Sequence, residues 1–261
     1  MKSSRSVWTW VTTITIGISL VAYWMIYRAR RKSDRPLISM EKAREHMKTG
    51  DLILFSGRYI HADAPIRMIK RALFLSATYV YRALDACEWG HVGVVYKHPE
   101  SGELYLLHCE MKGGDSDLFA GEPVQGVQVT PLEPKLQNYK GYSMWRPLNR
   151  PIDNDKVHEF LLSTYSMGYR VPSDIWIRFV DRLTGAKNRF NPPADKEVSR
   201  QGGMLCSEWV GLLLEHCGVF DSASSPYKGY YLMSDFTTRR CRRFLNSPEW
   251  DYTADGYELE L

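Results

Sequence analysis

The sequence predicts an α+β domain carried behind one N-terminal membrane-spanning helix. Val7 to Tyr27 forms a stretch of 21 residues without a charged side chain. Strand-like runs gather in the middle of the chain, and strong helix patterns stand on either side of them. Segregated helices and strands, rather than a βαβ alternation, mark an α+β layout. The composition fits: of 261 residues, 44% are apolar and 25% charged, ordinary for a globular chain. The length suits one large domain or two small ones, either able to bury a core.

The span follows from length and flanks. At 1.5 Å per residue, such a helix reaches about 31 Å, against a hydrocarbon core of roughly 30 Å. Trp8, Trp10, Tyr23, Trp24 and Tyr27 lie toward its two ends, where amphipathic rings favour the headgroup region. A cleaved secretory signal would be shorter and would precede a small-x-small site; here a basic cluster follows instead. Two Lys/Arg precede the span and five follow between Arg28 and Arg35. That bias places the body on the cytosolic side of a single-pass anchor. The five cysteines show no paired or zinc-like spacing, and no N-x-S/T acceptor is present, in agreement with that side.

Charge is divided unevenly. Residues 1–35 hold seven Lys/Arg and one acid, whereas the remaining 226 carry 27 basic and 29 acidic side chains. The basicity therefore belongs to the anchor and its stem, and a nucleic-acid-binding body is excluded. The expected division is 1–35 for anchor and basic stem, and 36–261 for one catalytic-sized domain.

Within the body, residues 31–39 read as a polar stem and Ser39 to Lys48 as a helix stopped by Gly50. DLILF (51–55) reads as a strand. In the segment 58–88, Ile66, Met68, Ile69, Ala72, Leu73 and Leu75 suit an amphipathic helix with Arg67, Lys70 and Arg71 on its polar side. HVGVVYK (91–97) and ELYLLHCE (103–110), joined by HPESG, form a hairpin pattern. VQGVQVTPL (124–132) and YSMWRPL (142–148) read as two further strands. Asp153 to Gly168 reads as a capped helix with Val157, Phe160, Leu161 and Leu162 on one apolar face. Residues 184–203 are irregular, MLCSEWVGLLLEHCGV (204–219) is a strong helix ended by Gly218, and the last 40 residues are aromatic, turn-rich and finally acidic.

Three residues carry candidate chemistry. Cys206 falls at the start of its helix, where backbone N–H groups and the dipole favour a thiolate and lower a pKa of about 8.5; a buried structural cysteine is the alternative. Cys217, at the far end of the same helix, has the opposite setting. His91 opens a strand directly after Gly90, as a catalytic or a merely structural histidine. Glu110 ends the partner strand, so a turn at 98–102 brings it beside His91, as a carboxylate orienting an imidazole requires. His108 and Cys109 hint at a metal, but no second ligand pair has zinc spacing. No metal and no cofactor are expected.

The strings GDLILFSG, EWGHVGVVY, LYLLHCE, VQVTPL, YSMWRPL and MLCSEWV together resemble the permuted NlpC-type papain-fold family of YiiX/YaeF-like amidases. The likeness spans roughly residues 48–240, with His91 and Gly93, Glu110, and Cys206-Ser207-Glu208 on the family's positions in order. Gly168-Tyr169 is similar to the family's Gly-x-x-Tyr-Asp element, with different spacing and no Asp. The resemblance implies a circularly permuted papain-like fold: a small antiparallel sheet packed on helices, His strand first and Cys helix last. It further implies Cys206 as nucleophile, His91 as general base and Glu110 as orienting carboxylate. The function implied is a membrane-anchored thiol hydrolase of amidase, esterase or peptidase type, cleaving an amide or ester through a Cys acyl-enzyme. Its substrate would be a peptide, lipoprotein or lipid, with the Cys206 N–H as an oxyanion donor. A lipid acyltransferase of the lecithin–retinol acyltransferase type and a catalytically silent scaffold are the alternatives.

Overall fold

Strand-forming runs from both ends and the middle of the chain meet in one sheet. The computed structural model describes residues 35–57, 87, 89–111, 115–139, 141–165, 167–169, 203–224, 231–237, 241–253 and 256–261. The span expected at 7–27, the amphipathic helix at 66–75 and all but Gly203 of the irregular 184–203 segment lie outside them. Among the described residues, no helix is long and apolar enough to cross a membrane.

The strands are β1 (Leu37–Ser39), β2 (Leu52–Gly57), β3 (His91–Lys97), β4 (Leu104–Glu110), β5 (Gly126–Pro131), β6 (Gly141–Arg146) and β7 (Tyr257–Glu260). They lie in the order β1–β7–β6–β2–β3–β4–β5. Every neighbouring pair is antiparallel except β1–β7, which is parallel. The sheet is therefore mixed and larger than the small antiparallel one expected. The two additional strands come from the segment read as a polar stem and from the acidic tail. Both are short, and β7 alternates Glu258 and Glu260 with Tyr257 and Leu259, so pairing rather than composition makes them strands.

Among the described residues, two helices cover each face. Helices α1 (Met40–His46) and α2 (Leu132–Asn138) pack on the side bearing Ile53, Phe55, Val95, Leu106 and Trp145. Helices α3 (Asn154–Thr164) and α4 (Cys206–His216) pack on the side bearing Leu54, Val92, Val94, Leu107, Cys109 and Val129. Because both faces are covered, β2 reads as a continuous apolar run instead of an alternating one. Trp209 of α4 is fully buried and donates from Nε1 to Thr164 Oγ1 of α3 at 2.9 Å. Full burial of such a ring contributes about 2–3 kcal/mol, and the hydrogen bond satisfies its polar edge.

Local signals explain most boundaries. Ser39 caps α1 by accepting from the Lys42 N–H at 3.4 Å, and Asp153 caps α3 by accepting from the Asp155 N–H at 2.9 Å. Helix α4 ends in a Schellman arrangement: Gly218 takes φ +74°, its N–H reaches Glu215 O, and the Val219 N–H reaches Leu214 O. Helix α3 stops at Thr164, four residues short of the expected Gly168, and Leu162 is 63% exposed instead of core-facing. At its end, the hydroxyls of Ser163 and Thr164 both bond to the Phe160 carbonyl. Helix α2 adds an element between two expected strands; its Pro134 falls in the first turn, where proline is tolerated. Buried Asp51 fixes the head of β2, accepting from Trp145 Nε1 (2.8 Å), Leu148 N (2.9 Å) and Lys48 N (3.1 Å).

Candidate active site

The β3–β4 hairpin sets the frame of the site. Its register runs from Lys97↔Leu104 to Gly93↔His108 and stops there. Continued by two residues, it would oppose His91 to Glu110. Gly93 lets β4 close on β3 beside His91: a Cβ there would meet the Leu106 side chain at 2.7 Å and Leu107 O at 3.0 Å. The backbone thus brings the two expected residues to one sheet end, but the side chains choose other partners.

His91 Nε2 lies 2.9 Å from His108 Nδ1, and His108 Nε2 lies 3.3 Å from Thr130 Oγ1 on β5. The Phe55 ring packs at 5.6 Å from the His91 ring. Glu110 Oε2 accepts from Lys135 Nζ of α2 at 2.7 Å and is 3.9 Å from His108 Nδ1. No hydrogen bond joins Glu110 to His91 among the described residues. The group that holds the His91 ring is therefore His108, and Glu110 stands behind it. A period-2 argument points to His108, since it lies on the same face of β4 as Glu110 and diagonal to His91. Reading it only as half of a metal pair hid that role.

Cys206 is the first residue of α4 and is buried against β3 and β4. The N–H groups of Val92, Ser207 and Cys206 itself support a thiolate there. Val95 donates to Asp51 on the β2 side, so alternation turns the Val92 N–H toward β4, where the ladder has already opened. The thiol fills that opening, at the residue next to His91. Burial nevertheless outweighs the donors and pushes the Cys206 thiol up to about 11, with Glu110 adding to the rise. The lowered value expected from the helix start is thus overturned by desolvation. Burial pushes Cys217 up to about 12, Cys241 up to about 11 and Cys109 higher still.

The approach to Cys206 is held from both sides. Met204 donates to Gly168 O at 2.9 Å and bridges Tyr169, while Cys109 Sγ donates to Met204 O at 3.3 Å. Gly203 runs at φ +80°, and a Cβ on it would meet Gly168 O at 2.6 Å. Gly168-Tyr169 therefore guides the chain into the Cys206 helix. Glu208 Oε2 accepts from the Leu205 N–H at 3.1 Å, and Ser207 Oγ donates to Tyr231 O at 2.7 Å, fixing the helix start.

Electrostatics keep both imidazoles neutral near pH 7. Burial lowers His91 to about 4, with Glu110 pulling it up and Lys135 pulling it down. His108 falls well below its ordinary value, first through burial, then through His91 and Lys135. Among the described residues, no three His, Cys, Asp or Glu side chains are grouped to hold a metal ion. A thiol, a neutral base and N–H donors stand at one sheet end, His91 in register with Phe55 on the α1/α2 face and Cys206 packed with Val92 on the α3/α4 face. The sequence matches no protein-family model, and no curated protein matches it significantly.

Proposed function

We propose that the chain is a cysteine-dependent acyl hydrolase with a circularly permuted papain-like arrangement. Residues 7–27 hold it in a membrane, and the body, residues 36–261, faces the cytosol. The observation that carries the reading is the seating of the Cys206 thiol on the Val92 N–H, one residue from the hydrogen-bonded His91–His108 pair. Cys206 is the nucleophile, His91 the base, and His108 the group that holds His91, with Glu110 adding negative charge behind the pair.

In this mechanism the His91 Nε2–H donates to His108 Nδ1, which leaves the His91 Nδ1 lone pair for the thiol proton. Because thiol and imidazole are both neutral, the proton leaves as Sγ attacks the amide or ester carbonyl. The N–H groups of Cys206 and Ser207 at the helix start face the developing oxyanion. His91 then passes its proton to the departing amine or alkoxide as the C–N or C–O bond breaks, leaving a thioester on Cys206. Water attacks the thioester while His91 accepts its proton, and the acid product departs as the thiol reforms.

The test uses the full chain in detergent micelles with a p-nitrophenyl acyl ester, quenched early and mapped by peptide mass spectrometry. An acyl adduct on Cys206 that is missing in His91→Ala is expected. Ester cleavage at the wild-type rate by folded Cys206→Ala overturns the mechanism.

A further inference from the structure

We propose that Lys135 is a positioning residue for the histidine pair: from α2 it engages the Glu110 carboxylate and withholds it from His108. In doing so it leaves His91 as a base in mildly acidic surroundings. This rests on the reading of His91 as base to Cys206.

Lysine is rarely buried unless paired, and the Lys135 side chain is 6% exposed. Its ammonium meets two carboxylates, Glu110 Oε2 at 2.7 Å and Asp115 Oδ2 at 3.1 Å. The oxygen it holds on Glu110 is the same one that lies 3.9 Å from His108 Nδ1. That oxygen therefore stands between a permanent cation and a ring that becomes cationic only when protonated. While Lys135 holds it, a proton on the histidine pair gains little from Glu110. Without Lys135, the carboxylate turns to His108 and stabilises an imidazolium, which is no longer a base.

The surroundings leave few other groups to play this part. β2 presents apolar Phe55, and β5 presents Thr130 and fully buried Gln128. β4 presents Glu110, the β4–β5 connection presents Asp115 through Lys135, and Tyr139, just after α2, packs on Phe55. On the opposite face of the sheet, packed with α4, lie the thiols of Cys206 and Cys109. Among these described groups, Lys135 is the single basic side chain other than the histidines themselves. It also pulls both histidines down, in the direction the geometry requires.

A purely structural lysine, pinning α2 to β4, would change stability or overall rate but not the pH at which the base is lost. The experiment is therefore the midpoint of the acid limb of kcat/KM for ester cleavage by the full chain, with ring-labelled histidine NMR titration in parallel. Lys135→Met is expected to raise the midpoint by about one pH unit. Adding Glu110→Gln to that variant brings it back down, and Lys135→Arg keeps the wild-type midpoint. A midpoint unmoved in folded Lys135→Met overturns the proposal. If that variant does not fold, Lys135→Gln decides in its place: its midpoint rises under the proposal, and an unmoved midpoint overturns it. The NMR titration separates the two readings, because it follows the rings even if no Cys206-dependent cleavage occurs.

Discussion

His91 Nε2 and His108 Nδ1 stand 2.9 Å apart on neighbouring strands, diagonal across the β3–β4 register. One proton is shared across that contact, and both rings are held neutral by burial. Each can reverse its tautomer without a net charge entering the site. A base held this way keeps its orientation through a full cycle of accepting and returning a proton.

The three polar partners should therefore contribute unequally. His91→Ala is expected to slow acylation by about 10²–10⁴-fold, because the base itself is gone. His108→Ala removes the hydrogen-bond partner of the His91 ring and should lose about tenfold to a hundredfold through misorientation. Glu110→Gln, one step further away, should lose less than His108→Ala near neutral pH. Single-turnover rates with a p-nitrophenyl ester, on variants verified as folded, give the order. A larger loss in Glu110→Gln than in His108→Ala would return the orienting role to the carboxylate.

A thiol pushed up to about 11 is protonated across the physiological range. Iodoacetamide alkylation of Cys206 should therefore be slow at pH 7 and climb steadily through pH 9 to 11. A thiolate–imidazolium pair would instead give a flat, fast rate between about pH 5 and 8. Mass-resolved labelling of Cys206 against pH distinguishes them, and a plateau at low pH would mean the ion pair forms in the free enzyme.

Neutral histidines also make the fold sensitive to acid. His91 falls from 6.5 in the unfolded chain to about 4 in the folded one, and His108 shifts the same way. The folded state then binds fewer protons than the unfolded state between those values. Stability from this source is complete above pH 6.5 and is lost as pH falls toward 4. Asp51 runs the other way, since burial raises its carboxyl and acidification relieves it. Thermal unfolding of wild type and His108→Gln between pH 7.5 and 4.5 isolates the histidine part, because Asp51 is common to both. The wild-type Tm should drop more steeply; parallel curves would remove the histidine pair from the account.

Much of this was legible in the sequence because it depends on local rules. The hairpin turn, the Ser39 and Asp153 caps, the Gly218 stop and the start of the Cys206 helix each follow from a few adjacent residues. What escaped depends on distant pairing. Leu37–Ser39 becomes a strand because it lies beside Tyr257–Glu260, more than two hundred residues away. His108 becomes the partner of His91 through a diagonal that only a fixed register defines. The Cys206 pKa depends on how much water the assembled core removes, and the N–H groups of the helix start supply only the smaller, opposing contribution. Lys135 reads as an ordinary polar residue until α2 folds over the end of β4.

Gly211 offers a test of how tightly the nucleophile helix is seated. It lies one turn beyond Ser207 on α4, with the Tyr231 ring packed directly against its backbone. A Cβ built there would fall inside that ring. Tyr231 cannot easily retreat: it is 1% exposed, contacts Phe220, Phe236 and Phe244, and donates from its hydroxyl to Glu215 at 2.5 Å. Its carbonyl also accepts from Ser207 Oγ, so moving Tyr231 disturbs the residue next to Cys206. Helix propensity alone favours Ala over Gly by about 1 kcal/mol. Overpacking costs about 1–3 kcal/mol, and more when the neighbour is locked. Gly211→Ala should therefore destabilise the fold despite the better helix former, and slow acylation through displacement of the Ser207 end of the helix. Chemical denaturation and single-turnover cleavage on the same preparation check both. A variant more stable than wild type would mean that α4 slides freely over Tyr231, and that the thiol's position is not fixed from that side.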